Sequence, residues 1–362
     1  MANLYEKVYG CIMGGIIGDA MGASVEFWDY KKIKEKFGVL TEFVGNGTDD
    51  SLLRLILCDA IIKSEGYVDA DRWAQGFVDY GEKYEYLYYY TVKNMYFKLK
   101  ENLVLPVHAG LDNMPSSSSA MCISPMGLLN ACNPRQAALE AFDIAGILHS
   151  GAASYCRDAA CAMAAAIAEA MKPDATVDSI IEASTKYLHQ KSAAQFIKKV
   201  EKALTLAKET NDYELFREKY YETELRFSEC DSLETVPAAL AMFYLANGDA
   251  QNSIIYAANF GRDTDTLATM AGSIAGAYQG VQGLRKDWVE QVEKADDPSK
   301  KLEQNEDFKY TFFEAKTLEF DSLSSLPNGD TLHKKVANEL VRLILKKAEE
   351  AAKSYDVIKQ MA

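Results

Sequence analysis

Residues 153–171, ASYCRDAACAMAAAIAEAM, constrain the fold of this chain more than any other segment. Alanine is the strongest helix former and has almost no side chain. Such a run therefore predicts a helix that neighbours can approach closely, and one that is buried. The same helical spacing recurs elsewhere. Leu52, Leu55, Ile56 and Ala60 share one face, as do Ala160, Met163, Ala164, Ile167 and Met171. Periodicity predicts further helices near 4–18, 70–80, 88–102, 135–148, 177–188, 191–208, 235–246, 266–280 and 331–354. Tyr86–Val92 is the only β-prone run, too short and isolated to build a sheet. The expectation is an all-α chain, more than half helical, with almost no strand.

A length of 362 residues permits a large core. Only eight prolines and no low-complexity linker mark the chain, so no clear domain boundary is visible. The expected organisation is a helical body over 1–290, with a C-terminal helical extension over 291–362 packed on the same domain. Segment 295–330, with its charge runs and the loop SSLPNGD, reads as the loosest part. The last helix, carrying Lys and Glu outward, reads as a solvated cover.

The 53 acidic residues outnumber 39 basic ones, for a net charge of −14. That balance argues against binding a nucleic acid duplex, which needs basic patches. It fits either an acidic surface or a cation site. Seven cysteines form no CxxC pair and no zinc spacing, so they are expected to be reduced and mostly buried. The apolar run CIMGGIIG lacks a basic leader and is broken by Asp19, unlike a signal peptide. No stretch reaches the length of a membrane span. A cytoplasmic protein is expected.

Two acidic turns carry the chemistry. Thr48-Asp49-Asp50 follows Gly45-Asn46-Gly47 and precedes an amphipathic helix; Asp263-Thr264-Asp265-Thr266 follows Gly261-Arg262 and precedes LATMAGSIAGAYQG. Hydroxyls and carboxylates cap free N–H groups at helix starts, but capping needs one such residue rather than three or four. Four carboxylates crowded into two turns repel unless a cation neutralises them, and an all-oxygen set suits Mg²⁺, Mn²⁺ or Ca²⁺ better than zinc. The plainer alternative is two acidic caps on unrelated helices. A third element, GGIIGDAMGASVEF at 14–27, brings glycines that permit close backbone approach, followed by Glu26. It fits no dinucleotide fingerprint, since its glycines follow no strand.

Taken in order, GGIIGDAMGASVEF, GTDDS, AMCISPMGLL, His149 before an alanine-rich helix, and GRDTDTLATMAGSIAGA resemble the ADP-ribosylglycohydrolase family over roughly residues 5–285. The resemblance implies a single large orthogonal helical domain with a centre of two Mg²⁺ or Mn²⁺ ions. It implies metal ligands at Thr48, Asp49, Asp50, Asp263, Asp265 and Thr266, and a glutamate beside the metals at Glu26. It implies a histidine lining the substrate cleft at His149. The reaction implied is hydrolysis of an N-glycosidic bond to ribose in an ADP-ribosyl or other ribosyl substrate, with Glu26 or Asp265 taking a proton from water.

The substrate loop departs from the family. Where members acting on ADP-ribosylated proteins carry a Gly-Asn-Gly turn and then Ala-Met-Arg, this chain has Ser116, Ser117, Ser118 and Ser119, then Ala120-Met121-Cys122. Serine hydroxyls suit phosphate or ribose oxygens, but a serine loop without a binding role is equally open. Arg262 stands where a second glycine is more common. Two enzyme readings therefore remain, an ADP-ribosyl hydrolase and a nucleoside-type N-ribohydrolase. A third reading is a non-catalytic relative that only binds ADP-ribose or serves as a scaffold. Asp263-Thr264-Asp265 also resembles the DxD of haloacid-dehalogenase phosphatases. That chemistry needs its aspartate at the end of a buried strand, and no doubly wound α/β pattern surrounds it here.

Overall fold

The computed structural model describes residues 2–296, 320, 322 and 330–362; 72% of them are helical and none is a strand. The first described helices are α1 (Leu4–Ala23), α2 (Tyr30–Phe37), α3 (Asp49–Lys63), α4 (Ala70–Tyr84), α5 (Tyr90–Lys100), α6 (Ser118–Met121) and α7 (Ser124–Leu129). There follow α8 (Pro134–Ala145), α9 (Tyr155–Ala170), α10 (Val177–Lys186), α11 (Ala194–Thr210) and α12 (Tyr213–Thr223). The last are α13 (Ser232–Leu245), α14 (Ala250–Ala258), α15 (Thr264–Gln279), α16 (Lys286–Ala295) and α17 (Leu332–Met361). The chain is all-α, as its periodicity implies. Most of the loose segment expected at 295–330 lies outside the described residues.

The centre of the molecule is a seam between α1 and α15. Gly10 faces Gly276, Gly14 faces Gly272, Gly18 faces Ala268 and Gly22 faces Asp265, so the two helices run antiparallel with their backbones touching. A Cβ on Gly14 would fall 2.2 Å from the carbonyl oxygen of Gly272, and one on Gly18 would fall 2.1 Å from that of Ala268. Four glycines at four-residue spacing thus form a flat ridge on α1 that no larger residue permits. The alanine-rich α9 packs behind this seam, buried along nearly its whole length. At the far end, the buried Lys7 ammonium donates to the carbonyls of Ala170, Ala277 and Tyr278 at 2.7, 3.1 and 3.0 Å. A cation there satisfies the free carbonyls where α9 and α15 end.

The β-prone run at 86–92 forms a 3₁₀ turn, Glu85–Leu87, and then the first turn of α5. Tyr88 is buried, edge-on to both Phe77 and Tyr96 at 5.8 Å between ring centroids. Packing of its aromatic rings thus overrides the strand preference of the run. All seven cysteines are free and six are buried. No described helix is long and apolar enough to cross a membrane.

Candidate active site

The seam decides where the acidic groups meet. Because α1 and α15 are antiparallel, the end of α1, with Glu26 just beyond it, lies beside the start of α15, with Asp263 and Asp265. Thr264 donates its hydroxyl to the Gly22 carbonyl at 2.8 Å. The two loops are also clasped through their backbones. Phe27 N–H donates to Arg262 O at 2.7 Å, and Arg262 N–H donates to Trp28 O at 2.9 Å. Arg262 adopts a left-handed φ of 68°. Its guanidinium donates to Glu234 at 2.8 Å, to Glu229 at 2.9 Å and to the Arg226 carbonyl at 2.7 Å. Those partners hold a conformation that glycine would adopt without strain.

The first acidic turn is held by a residue the motif reading passes over. Asp19, fully buried on α1, accepts from Thr48 N–H at 2.9 Å, Thr48 Oγ1 at 2.8 Å, Ser51 N–H at 3.0 Å and Ser51 Oγ at 2.5 Å. Gly47, with φ 109°, lies against it; a Cβ there would come within 2.5 Å of Asp19 Oδ2. Arg54 then donates to Ser51 Oγ at 2.9 Å. The available signal is a single carboxylate buried in an otherwise small and apolar helix, a placement that demands partners.

The two turns converge on one cleft of about 350 Å³. Glu26, Asp263 and Asp265 each place a carboxylate oxygen within 4.8 Å of the other two. Thr48, Asp49, Asp50 and Thr266 line the same cleft. Thr48 Oγ1 stands 3.5 Å from Asp265 Oδ2 and joins the turns directly. Burial, reinforced by the neighbouring carboxylates, drives these groups toward their protonated forms. Glu26 is pushed up to about 11, Asp49 to about 8 and Asp265 to about 7, with Asp50 and Asp263 raised as well. Asp50 Oδ2 is buried with no hydrogen-bond partner. A buried carboxylate oxygen without a donor, amid like charges, is costly as it stands and favourable once a cation faces it.

Of the four serines, Ser117 and Ser118 line the cleft. Ser117 Oγ donates to Asp263 Oδ2 at 3.0 Å, so the loop touches the carboxylate cluster. Ser116, Ser119 and His149 are buried and are not among the lining residues. Ser116 Oγ lies 3.1 Å from His149 Nε2, and Ser119 Oγ lies 2.9 Å from His149 Nδ1, so both ring nitrogens are engaged behind the loop. The opposite sequence neighbourhood, Tyr86 to Tyr90, adds an aromatic wall with Tyr86 and Tyr90 exposed. Lys93 is the only lysine or arginine among the lining residues.

A family model described as ADP-ribosylglycohydrolase matches residues 1–316. The chain is 27% identical over 307 residues to YegU of Escherichia coli (strain K12), covering 77% of this chain and 89% of that protein. It is 21% identical over 306 residues to the ADP-ribosyl-dinitrogen reductase glycohydrolase of Rhodospirillum rubrum, covering 80% and 92%. Among solved structures, an ADP-ribosylglycohydrolase-related protein complex superimposes with a TM-score of 0.61 at 20% identity, covering 80% of this chain and 93% of that one. That likeness bears on the fold.

Proposed function

The chain belongs to the ADP-ribosylglycohydrolase family of glycosyl-bond hydrolases, and from that premise we propose that it cleaves the N-glycosidic bond of an ADP-ribosyl or related ribosyl substrate with bound divalent cations. The observation that carries this reading is the meeting of Glu26, Asp263 and Asp265 with the turn Thr48-Asp49-Asp50 in one cleft. The donor set fits Mg²⁺ or Mn²⁺: all oxygen, raised together toward protonation, with one buried carboxylate oxygen lacking any donor. Thr48, Asp49, Asp50, Asp263, Asp265 and Thr266 would hold two ions. Bound there, such ions would neutralise the cluster and make a water more acidic.

The chain's own groups supply the rest. Glu26 reaches the cleft within 4.8 Å of Asp263 and Asp265, and once cations neutralise that cluster its carboxylate would be free to take a proton from the attacking water. Water oxygen bonds to C1 of the ribose as the C1–N bond breaks, and the departing nitrogen takes up a proton. Positive charge growing on the ribose ring would be stabilised by those carboxylate oxygens of the cleft that the ions leave free. The tyrosine wall offers flat apolar surface to an aromatic base.

A smaller substrate, a nucleoside, is favoured by one observation: the lining carries a single basic residue, Lys93, where a diphosphate would be served by more. A hydrolysis screen with Mg²⁺ or Mn²⁺ across ADP-ribosylated proteins, ADP-ribose derivatives and nucleosides tests both. Release of ribose or ADP-ribose from any of them is expected. No turnover by metal-loaded protein sinks the enzyme reading and leaves a ribosyl-binding or scaffold role.

A further inference from the structure

Ser116 and Ser119 flank one imidazole and Ser118 bonds to Ser116, so counting protons along this chain fixes the direction in which each hydroxyl points. His149 is fully buried, and burial pushes its pKa down to about 3, so the ring is neutral and carries one N–H. Beside the Ser118 N–H that donates to Ser116 Oγ at 3.3 Å, four hydroxyl and ring contacts must be satisfied. His149 Nδ1 is 2.9 Å from Ser119 Oγ, and Ser119 Oγ is 3.0 Å from the Cys156 carbonyl. His149 Nε2 is 3.1 Å from Ser116 Oγ, and Ser116 Oγ is 2.9 Å from Ser118 Oγ.

A carbonyl only accepts, and each hydroxyl has one proton to give. With the ring proton on Nδ1, His149 donates to Ser119 and Ser119 donates to Cys156 O. Ser116 then donates to Nε2, and Ser118 donates to Ser116. Four protons make four hydrogen bonds. With the ring proton on Nε2, Ser119 has to donate to Nδ1, and its contact with the Cys156 carbonyl is lost. In a dry site every unmade hydrogen bond costs stability, so the first arrangement wins.

Ser118 therefore directs its proton inward, away from the cleft that it lines. Ser117 directs its own to the Asp263 carboxylate. We propose that the cleft face of this serine loop presents hydrogen-bond acceptors only. It selects substrate groups that donate, ribose hydroxyls or N–H groups, and leaves phosphate to Lys93. A phosphate oxygen facing Ser118 would set lone pair against lone pair. The inference rests on the ribosyl-hydrolase reading for its ligand and on the proton count for its direction.

Two measurements test these separately. The chain has four histidines, so ¹⁵N-histidine labelling gives a tractable long-range ¹H–¹⁵N spectrum of the ligand-free protein. His149 is expected with Nδ1 protonated and Nε2 bare; the reverse tautomer overturns the proposal. Calorimetric binding of adenosine and of ADP-ribose, both with Mg²⁺, supplies the second arm. Ser118→Ala is expected to weaken both probes equally, by roughly tenfold, since it removes an acceptor for a shared hydroxyl. Lys93→Ala is expected to weaken ADP-ribose and leave adenosine unchanged. Loss confined to ADP-ribose in Ser118→Ala, or no loss at all, overturns the proposal. If neither probe binds the unaltered protein, the ribosyl reading fails instead, and the tautomer still decides the proton order.

Discussion

Asp19 accepts hydrogen bonds from both the backbone nitrogen and the hydroxyl of Thr48, at 2.9 and 2.8 Å. The glycine-rich helix and the first acidic turn are thereby one mechanical unit, and Asp19 sets the turn's orientation without lining the cleft. In Asp19→Asn the new amide N–H₂ meets donors instead of giving them an acceptor. Mn²⁺ affinity by isothermal titration should fall by roughly five- to 150-fold, about 1–3 kcal/mol, with helical circular dichroism retained. Unchanged affinity would mean that the turn holds its shape without Asp19.

Asp265→Ala should separate metal binding from folding. Removing one of several mutually repelling buried carboxylates relieves the metal-free protein, so its melting temperature should rise or hold. The further rise on adding Mg²⁺ or Mn²⁺ should vanish, because binding to the native state alone produces it. Turnover should be lost for every substrate. A variant that still gains thermal stability from metal would remove Asp265 from the ligand set.

The pH dependence follows from the same repulsion. Asp49 and Asp265 are pushed from 3.8 up to about 8 and about 7, so the folded chain holds protons that the unfolded chain releases. Stability of the metal-free protein should therefore be highest in mild acid. It should decline as pH rises from about 4 through about 8. Cations compete for the same oxygens as the protons do. Thermal melts across this range should slope downward in EDTA and flatten with saturating Mg²⁺. Parallel curves would show that no cation meets these carboxylates.

Arg262→Gly relieves a left-handed backbone but strips Glu234, buried at 2% exposure, of its guanidinium. Strain of about 1–3 kcal/mol is removed, against roughly 3–5 for a buried charge that loses its ion pair and keeps only the Arg226 N–H. Net destabilisation of about 2 kcal/mol is expected in chemical denaturation, and Glu234→Gln on top should recover part of it. A more stable glycine variant would mean that the ion pairs contribute little.

Much of this was legible in residue order. Three or four oxygen donors at one helix start exceed what a cap uses, and the two such turns do face one cavity. Helix periods found the long elements, while α2, α12, α14 and α16 went unmarked: α2 and α16 are amphipathic but only two to three turns long, and α12 and α14 are weakly periodic. Asp19 was visible only as a charge interrupting an apolar run; its four donors come from a helix some thirty residues on, which spacing cannot supply. His149 has the same limitation. Whether a histidine before a helix looks into a cleft or away from it depends on which hydroxyls pack around it, and here Ser116 and Ser119 take both nitrogens. Tyr86–Val92 is β-prone by composition though too short to build a sheet, and the place of Tyr88 beside the wall is set by Phe77 and Tyr96 from helices on either side.

The contact of Gly14 with Gly272 works as a fulcrum. Any methyl inserted there pries the two helices apart, and the lever ends at Glu26 on one arm and Asp263 on the other. The geometry of the carboxylate cluster is thus hostage to a dozen ångströms of close-packed glycine backbone. The tyrosine wall and the serine loop hang from other helices and do not load that fulcrum. A chain built this way can remodel the walls of its cleft by editing two short stretches, while the carboxylates stay where the glycines put them.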